Sequence, residues 1–471
     1  MGSRLRRLVT IGSVAALAGC SEQKPPGGGS AGVGAAPSGG SGGAAVAPGG
    51  NGGATTQAGS AGTASGGASG TAGSQNSGGS GGLGGALAGA GGGGGVSTFT
   101  TRALAQDNVA EGADAGDIDG DGVLDLVAGP RWYKGPEFEL GGSIVENPDT
   151  FTPDQYSTFF LTFVDDVDGD QRPDVIAIGD AGGGNGSGTP NAFWYQNPGP
   201  DQLQQAWLKT ALYSDLVSNE SPAYVNLLGD AKPELVFMTD GTAGFAQPES
   251  SPTAAWTYTA VTPMTFDTPY VHGLGVGDLD GDGAADLVER SGWWRQTASM
   301  PWERHEFGFG MAPPSNWGGA QMQVFDVDGD GDNDVVTALA AHGYGLAWFE
   351  ATGATSFTRH DILPDVAAAD NVSQLHALVA ADVNLDGLTD LVAGKRYYAH
   401  PSSNPDPGTD DPALLYWFEL KRDGDGARFE PHLIHDDSGA GCNFIVRDLT
   451  GDGKPDIFTT NKRGTFLHVQ D

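Results

Sequence analysis

A nine-residue acidic loop recurs along this chain at near-regular intervals, and no other feature restricts its fold as strongly. DIDGDGVLD begins at Asp117, DVDGDQRPD at Asp166, DLDGDGAAD at Asp278, DVDGDGDND at Asp326, DVNLDGLTD at Asp382 and DLTGDGKPD at Asp448. A degenerate copy, NLLGDAKPE, begins at Asn226. Successive copies start 49, 60, 52, 48, 56 and 66 residues apart. That period is too long for a leucine-rich or paired-helix repeat and suits a four-stranded sheet with its loops.

The flanks read as strands. Short apolar runs follow the loops, such as LVAG after Asp125 and VVTAL after Asp334, and others precede them, such as FLTFV before Asp165. An aromatic strand comes next (Trp132-Tyr133, Phe193-Trp194-Tyr195, Trp417-Phe418), then an outer strand whose aromatic-x-x-His pattern recurs at His305, His360 and His432. Runs of β-branched and aromatic residues between Gly/Pro/Asp loops are an all-β signature, and the three histidines are expected to be packing residues of the repeat. The last copy ends after TFLHV without an outer strand, while an unpaired one, Phe99 to Leu104, stands ahead of the first loop. If that segment completes the last sheet, the ring closes and leaves no edge at the seam. The expected fold is all-β: a single seven-bladed β-propeller over residues 98–471, closed by an N-terminal outer strand.

Composition separates what precedes this domain. Residues 21–95 hold 31 of the 78 glycines, with Glu22 and Lys24 the only charges. Such a segment cannot bury enough apolar surface to offset its ordering entropy, so residues 21–97 are expected to be a disordered tether. A Gly-rich coil of this length has a reach of about 50 Å. Residues 1–20, MGSRLRRLVTIGSVAALAGC, place three arginines before a short apolar run, the pattern of a secretory signal. Leu17-Ala18-Gly19-Cys20 resembles the bacterial lipobox. That resemblance implies cleavage before Cys20, lipidation of Cys20, and anchoring in a bacterial cell envelope, at the outer membrane or cell surface. Cys442 is the other cysteine, so no disulfide framework exists.

Residues 1–95 carry +3 of the net −36, which leaves −39 on the remainder. So acidic a surface repels nucleic-acid backbones and anionic membranes, excluding both as general partners. Membrane contact is expected only through the lipid anchor, and the protein is expected to be a monomer.

In DxDGDGxxD the carboxylates at positions 1, 3, 5 and 9 converge because the glycines permit a tight turn. Ligation by oxygen alone suits Ca²⁺, which takes 6–8 oxygens, better than Mg²⁺. Zinc would require His or Cys in the loop. An EF-hand would require helical flanks and a glutamate at position 12, and those positions are Ala128, Glu289, Thr337, Ala393 and Thr459.

These loops, with their strand context over about 99–471, resemble the FG-GAP/VCBS repeats of integrin α-subunits and bacterial surface proteins. The resemblance implies a Ca²⁺ ion in the loop between the first two strands of each blade, about six ions in all. Its ligands would be Asp117, Asp119, Asp121 and Asp125 in the first loop, and Asp166, Asp168, Asp170 and Asp174 in the second. The later loops would supply Asp278, Asp280, Asp282 and Asp286, then Asp326, Asp328, Asp330 and Asp334. The last two would supply Asp382, Asn384, Asp386 and Asp390, then Asp448, Thr450, Asp452 and Asp456. The copy at Asn226 retains only Asp230 and Glu234 as acids and is expected to hold no ion.

If metal loops join first and second strands, the loops between second and third strands lie on the opposite face. Those loops hold Arg131, Arg290, Lys395, Arg396, Lys462 and Arg463, interleaved with Trp132, Tyr133, His342, Tyr344, Tyr397, Tyr398 and His400. On the same side, His272 and His376 stand six residues before their metal loops, at positions equivalent to Glu111, Glu220 and Cys442. These residues are expected to line the mouth of a central channel. Arg131, Trp132, His272, Arg290, His376, Lys395, Arg396, Tyr397, Lys462 and Arg463 are the candidate ligand-binding residues. Guanidinium groups pair bidentately with carboxylates, so a glycan or other anionic ligand fits this face.

The expected function is a non-catalytic binding or adhesion module for a glycan or a surface protein. The alternative is a sugar-acting enzyme of the polysaccharide lyase or sugar dehydratase kind, using His272, His376, Arg396 and Tyr397 to neutralise a carboxylate and move a proton. No nucleophile motif, zinc signature or phosphate loop is present to support other chemistries.

Overall fold

The computed structural model describes residues 97–471 apart from 181–189, 219, 231, 249–250, 252–253, 265–270, 311–317, 354, 369–370, 401, 404 and 425. The expected signal peptide, Cys20 and tether lie outside the described residues, save Ser97. Within them every regular element is a β-strand, in the all-β propeller arrangement.

Strand β1 (Phe99–Ala105) precedes the first acidic loop, and β2 (Ala113–Gly116), β3 (Asp125–Ala128), β4 (Arg131–Lys134) and β5 (Glu139–Ser143) form an antiparallel sheet around it. The next sheet comprises β6 (Leu161–Asp165), β7 (Asp174–Asp180), β8 (Pro190–Gln196) and β9 (Leu208–Tyr213). The third comprises β10 (Ala223–Val225), β11 (Glu234–Thr239), β12 (Thr242–Gln247) and β13 (Thr257–Ala260). Then come β14 (Leu274–Gly277), β15 (Asp286–Glu289), β16 (Gly292–Arg295) and β17 (Glu303–Glu306), followed by β18 (Gln321–Phe325), β19 (Asp334–Ala338), β20 (Leu346–Gly353) and β21 (Ser356–Leu363). A further sheet holds β22 (Leu375–Ala381), β23 (Asp390–Lys395), β24 (Leu415–Asp423) and β25 (Gly426–His435). The chain ends with β26 (Ile445–Arg447), β27 (Asp456–Asn461) and β28 (Gly464–Gln470).

Strand β1 pairs antiparallel with β28, Phe99 opposite Gln470, and so completes the last sheet in the order β1-β28-β27-β26. The acidic loops join first to second strands, as expected. One expectation is corrected. In place of seven separate four-stranded sheets, five stand alone and β14–β21 make one eight-stranded sheet. Its two halves join where β14 and β18 pair in parallel, Leu274 with Gln321 and Gly275 with Met322. Glycine is required there, because a Cβ on Gly275 would lie 2.4 Å from the Met322 carbonyl oxygen. Without a side chain to hold them apart, the two inner strands meet closely enough to exchange backbone hydrogen bonds.

Apolar clusters between successive sheets form the core. One links β6–β8 to β11 through Ile176, Trp194, Leu235 and Phe237, and another links β2 and β3 to the last sheet through Leu126, Phe458 and Leu467. The outer-strand histidines stack on the aromatic strand: His305 on Trp293 at 4.1 Å, His360 on Trp348 at 4.2 Å and His432 on Trp417 at 4.4 Å. They are packing residues, as the repeat pattern indicates.

Each acidic turn is built on left-handed backbone. Gly120 and Gly122 take φ of +75° and +89°, a region open to glycine at little cost. In the second and sixth loops Gln171 and Leu385 adopt φ of +71° and +59° without being glycine. In the six loops with aspartate at position nine, that carboxylate latches the loop to its sheet. Asp334 Oδ2 accepts the Val327 N–H at 2.9 Å, and Oδ1 accepts the Ala351 N–H of β20 at 2.8 Å. Asp125, Asp174, Asp286, Asp390 and Asp456 repeat this two-sided contact.

Candidate functional site

The six-residue offset before each loop selects Glu111, Phe160, Glu220, His272, Ala320, His376 and Cys442, one from the start of each inner strand. The structure gathers several of them into a buried polar cluster. Two loop residues complete it. Arg396, directly after β23, is fully buried, and its Nε donates to Glu111 Oε2 at 3.0 Å. Its Nη1 donates to Glu220 Oε2, and the guanidinium lies 4.6 Å from the Phe160 ring centre. His342, from the β19–β20 connection, reaches between His272 and His376 with ring centres 4.7 Å from each. The unit that contributes His342 has Ala320 at the offset position, the smallest side chain of the set.

The ring nitrogens converge. His342 Nε2 lies 3.1 Å from His272 Nε2, while Glu220 Oε2 lies 3.4 Å from His272 Nε2 and 3.5 Å from His376 Nε2. The far side of two rings is held: His342 Nδ1 contacts Asp406 Oδ2 at 3.2 Å, and His376 Nδ1 contacts the Gln374 carbonyl at 3.1 Å. Burial opposes the Glu220 charge, but Arg396 and the neighbouring histidines outweigh it and hold the carboxyl well below its usual range. Burial pushes His342 far down, and burial aided by Arg396 brings His376 to about 4, so both rings are neutral at pH 7. Burial drives the pKa of the Cys442 thiol well up, 3.9 Å from Glu111 Oε2, which disfavours the thiolate.

The other expected ligand residues are dispersed. Arg131 is paired with Asp107 at 2.7 and 2.8 Å, and Trp132 is buried against Val127 and Ile144. Lys395 Nζ is buried and donates to the carbonyls of Gly408, Thr409 and Asp411. Lys462 Nζ donates to the Tyr398 carbonyl at 2.8 Å, 4.4 Å from the Tyr156 ring. Arg290 is half-buried beside Gly273 and Gly318. Arg463 pairs with Asp437 and lies 5.1 Å over Tyr397. Of the ten candidates, His272, His376 and Arg396 come together at the axis, and Tyr397 with Arg463 forms a patch nearer solvent.

Sequence reasoning missed the meeting of His342 with His272 and His376. A period-based reading could have flagged it from Ala320, the gap in the ring, but nothing local shows which loop fills that gap.

In the acidic loops the oxygens of Asp117, Asp119 and Asp125 lie within 4.8 Å of one another, as do those of Asp166, Asp168 and Asp174. Residues 313–393 match the family model described as an FG-GAP-like repeat. The chain carries an FG-GAP-like repeat. That match spans β18, β19, β20, β21 and β22, with the acidic loops at Asp326 and Asp382 inside it.

No curated protein matches the chain in sequence. Among solved structures it is similar to rhamnogalacturonan lyase YesW, at 15% identity and a TM-score of 0.38, covering 80% of this chain and 74% of that one. It is similar also to the periplasmic gluconolactonase PpgL of Pseudomonas aeruginosa, at 15% identity and a TM-score of 0.39, covering 79% and 95%. A glucose dehydrogenase follows at 13% identity and a TM-score of 0.37, covering 79% and 98%. Likenesses this distant assign the chain no activity.

Proposed function

We propose that the protein is a calcium-stabilised propeller, held at the bacterial cell envelope through Cys20, that acts as a non-catalytic module binding a glycan on the face opposite its acidic loops. The eight-stranded sheet is counted as two blades sharing a short parallel seam, which makes the ring seven-bladed.

Calcium fits the loops by their donors. Asp117 Oδ1 is buried without a hydrogen-bond partner, inside a turn whose neighbouring carboxylates offer oxygen alone. Lys134 Nζ sits against Asp119 and Asp121, and Arg295 against Asp280 and Asp282, cations standing where these carboxylates call for positive charge. When bound, Ca²⁺ neutralises the clustered carboxylates. Asp117, Asp119, Asp121, Asp125 and their counterparts in the other loops would hold it, and the position-nine carboxylates also keep the turns in register with the sheets.

Tyr397 beneath the Arg463 guanidinium, itself held by exposed Asp437, carries the glycan reading. An aromatic face beside a paired cation and carboxylate offers stacking and both hydrogen-bond polarities, which suits a polyhydroxylated ligand. The cations of this face are compensated within the protein, which favours a hydroxyl-rich ligand over a densely charged one. Glycan-array binding of the full chain tests this. Tyr397→Ala and Arg463→Ala should each abolish the signal at unchanged melting temperature, and an array left unchanged by both overturns the reading.

A second reading, a lyase- or dehydratase-like enzyme, is favoured by the packing of three histidines against Glu220 and Arg396. Incubation with uronate polymers tests it through the absorbance of unsaturated products.

A further inference from the structure

The axial histidines present a hydrogen-bonding problem that protons alone do not solve. His342 Nδ1 and His376 Nδ1 face acceptors, Asp406 and the Gln374 carbonyl, so each ring carries its proton there and turns a bare Nε2 inward. His272 Nε2–H can then donate to His342 Nε2. That choice leaves His376 Nε2 buried without a partner, while His272 Nδ1 lacks one wherever the His272 proton sits. Each such atom costs about 1–3 kcal/mol. It also turns the His376 lone pair toward the Glu220 carboxylate at 3.5 Å.

We propose that Glu220, His272, His342 and His376 bind one divalent transition-metal ion. Their ligand atoms all lie within 4.8 Å of one another. With bonds of 2.0–2.2 Å, the edge of a tetrahedral Zn²⁺ site is about 3.3–3.5 Å. Three of the six edges among these atoms, at 3.1, 3.4 and 3.5 Å, lie at or slightly below it. Three imidazoles with one carboxylate suit Zn²⁺, Co²⁺, Ni²⁺ or Fe²⁺, whereas Ca²⁺ and Mg²⁺ prefer oxygen throughout. The acceptors behind His342 and His376 fix tautomer and ring orientation as partners behind metal-bound histidines do.

Four protein ligands close a tetrahedron, so the ion is structural. The four residues come from four successive sheet units: Glu220 before β10, His272 before β14, His342 after β19 and His376 in β22. One ion therefore braces more than half of the ring from inside. This site is separate from the acidic loops and stands whether or not the propeller binds glycan.

The full chain, purified without an oligohistidine tag, is titrated with Co²⁺ in excess Ca²⁺. One equivalent should bind and give the intense visible absorption of tetrahedral cobalt, and Zn²⁺ should displace it. His376→Ala and His272→Gln should reduce bound cobalt from one equivalent to near zero, while Asp282→Asn, in an acidic loop, should leave it unchanged. Failure of the wild-type chain to bind stoichiometric cobalt or zinc overturns the proposal. So does an unaltered cobalt spectrum in a folded His376→Ala variant. Should the variants not fold, X-ray absorption of the zinc-loaded wild type decides: imidazole scattering upholds the site, and its absence refutes it.

Discussion

Arg396 Nε lies 3.0 Å from Glu111 Oε2, a contact between two fully buried residues 285 positions apart in the chain. It ties the β23–β24 connection to the entry of β2, and through Nη1 the same guanidinium reaches Glu220. Removing one partner of such a pair leaves a buried charge uncompensated, which typically costs 3–5 kcal/mol. Arg396→Met is expected to lose about that much, since two carboxylates are then stranded. Glu111→Gln, which keeps an acceptor, should lose less. Denaturant midpoints in excess calcium measure both, and an Arg396→Met variant within about 0.5 kcal/mol of wild type would refute the bracing role.

The latching role of the position-nine carboxylate separates from ion ligation by mutation. Asp334→Ala orphans the Val327 and Ala351 amides, at about 1–3 kcal/mol each, and so destabilises the protein even without calcium. Asp330→Asn alters an exposed loop carboxylate, so it should barely change the calcium-free stability while removing one bound calcium. Paired melting curves with and without chelator, and native mass spectrometry, distinguish the two behaviours.

Much of this arrangement is legible in the sequence. The repeat period places the strands, the orphan segment from Phe99 predicts the strand that completes the last sheet, and the six-residue offset picks out Glu111, Glu220, His272, His376 and Cys442. Periodicity, however, is a local signal. That Gly275 lets two sheets merge depends on the approach of Met322, about one repeat away. The partners of Arg131, Lys395 and Arg396 were hidden for the same reason. Each cation reads as free in a list of loop residues and proves to be paired once the loops fold back.

Calcium removal should destabilise the domain progressively. A site present only in the folded state contributes about 2.7 kcal/mol at a hundredfold excess over its Kd. Chelation should therefore lower the melting temperature strongly, and calcium titration should restore it. Asp230→Asn, in the loop begun by Asn226, should leave the number of bound ions unchanged. A melting temperature indifferent to chelator would refute the structural role of calcium.

Asp114 gives a pH dependence of known sign. It is buried in β2, with Oδ1 accepting the Ala115 N–H and Oδ2 accepting the Val164 N–H, each at 2.8 Å. Burial outweighs these bonds and pushes its pKa up to about 6. Because the folded value exceeds the unfolded one, the stability it contributes is complete below about pH 4 and lost as pH rises through about 6. The loss is at most about 3 kcal/mol. Asp114→Asn does not titrate, so its stability relative to wild type should climb between pH 4 and 6.5. A difference that stays flat over that range, measured by denaturation at each pH, would contradict the assignment.

Leu385 holds the fourth position of its acidic loop, where every other copy has glycine, at φ of +59°. A left-handed conformation costs a residue with a Cβ about 1–2 kcal/mol. Glycine escapes that strain but loses about 0.5–1 kcal/mol to greater freedom of the unfolded chain. The side chain is 53% exposed, so its removal forfeits little burial. Leu385→Gly is therefore expected to stabilise the protein by a few tenths to about 1 kcal/mol, the difference of those two effects. Denaturant midpoints in saturating calcium test this. A destabilised variant would mean that the leucine packs against the loop more tightly than its exposure indicates.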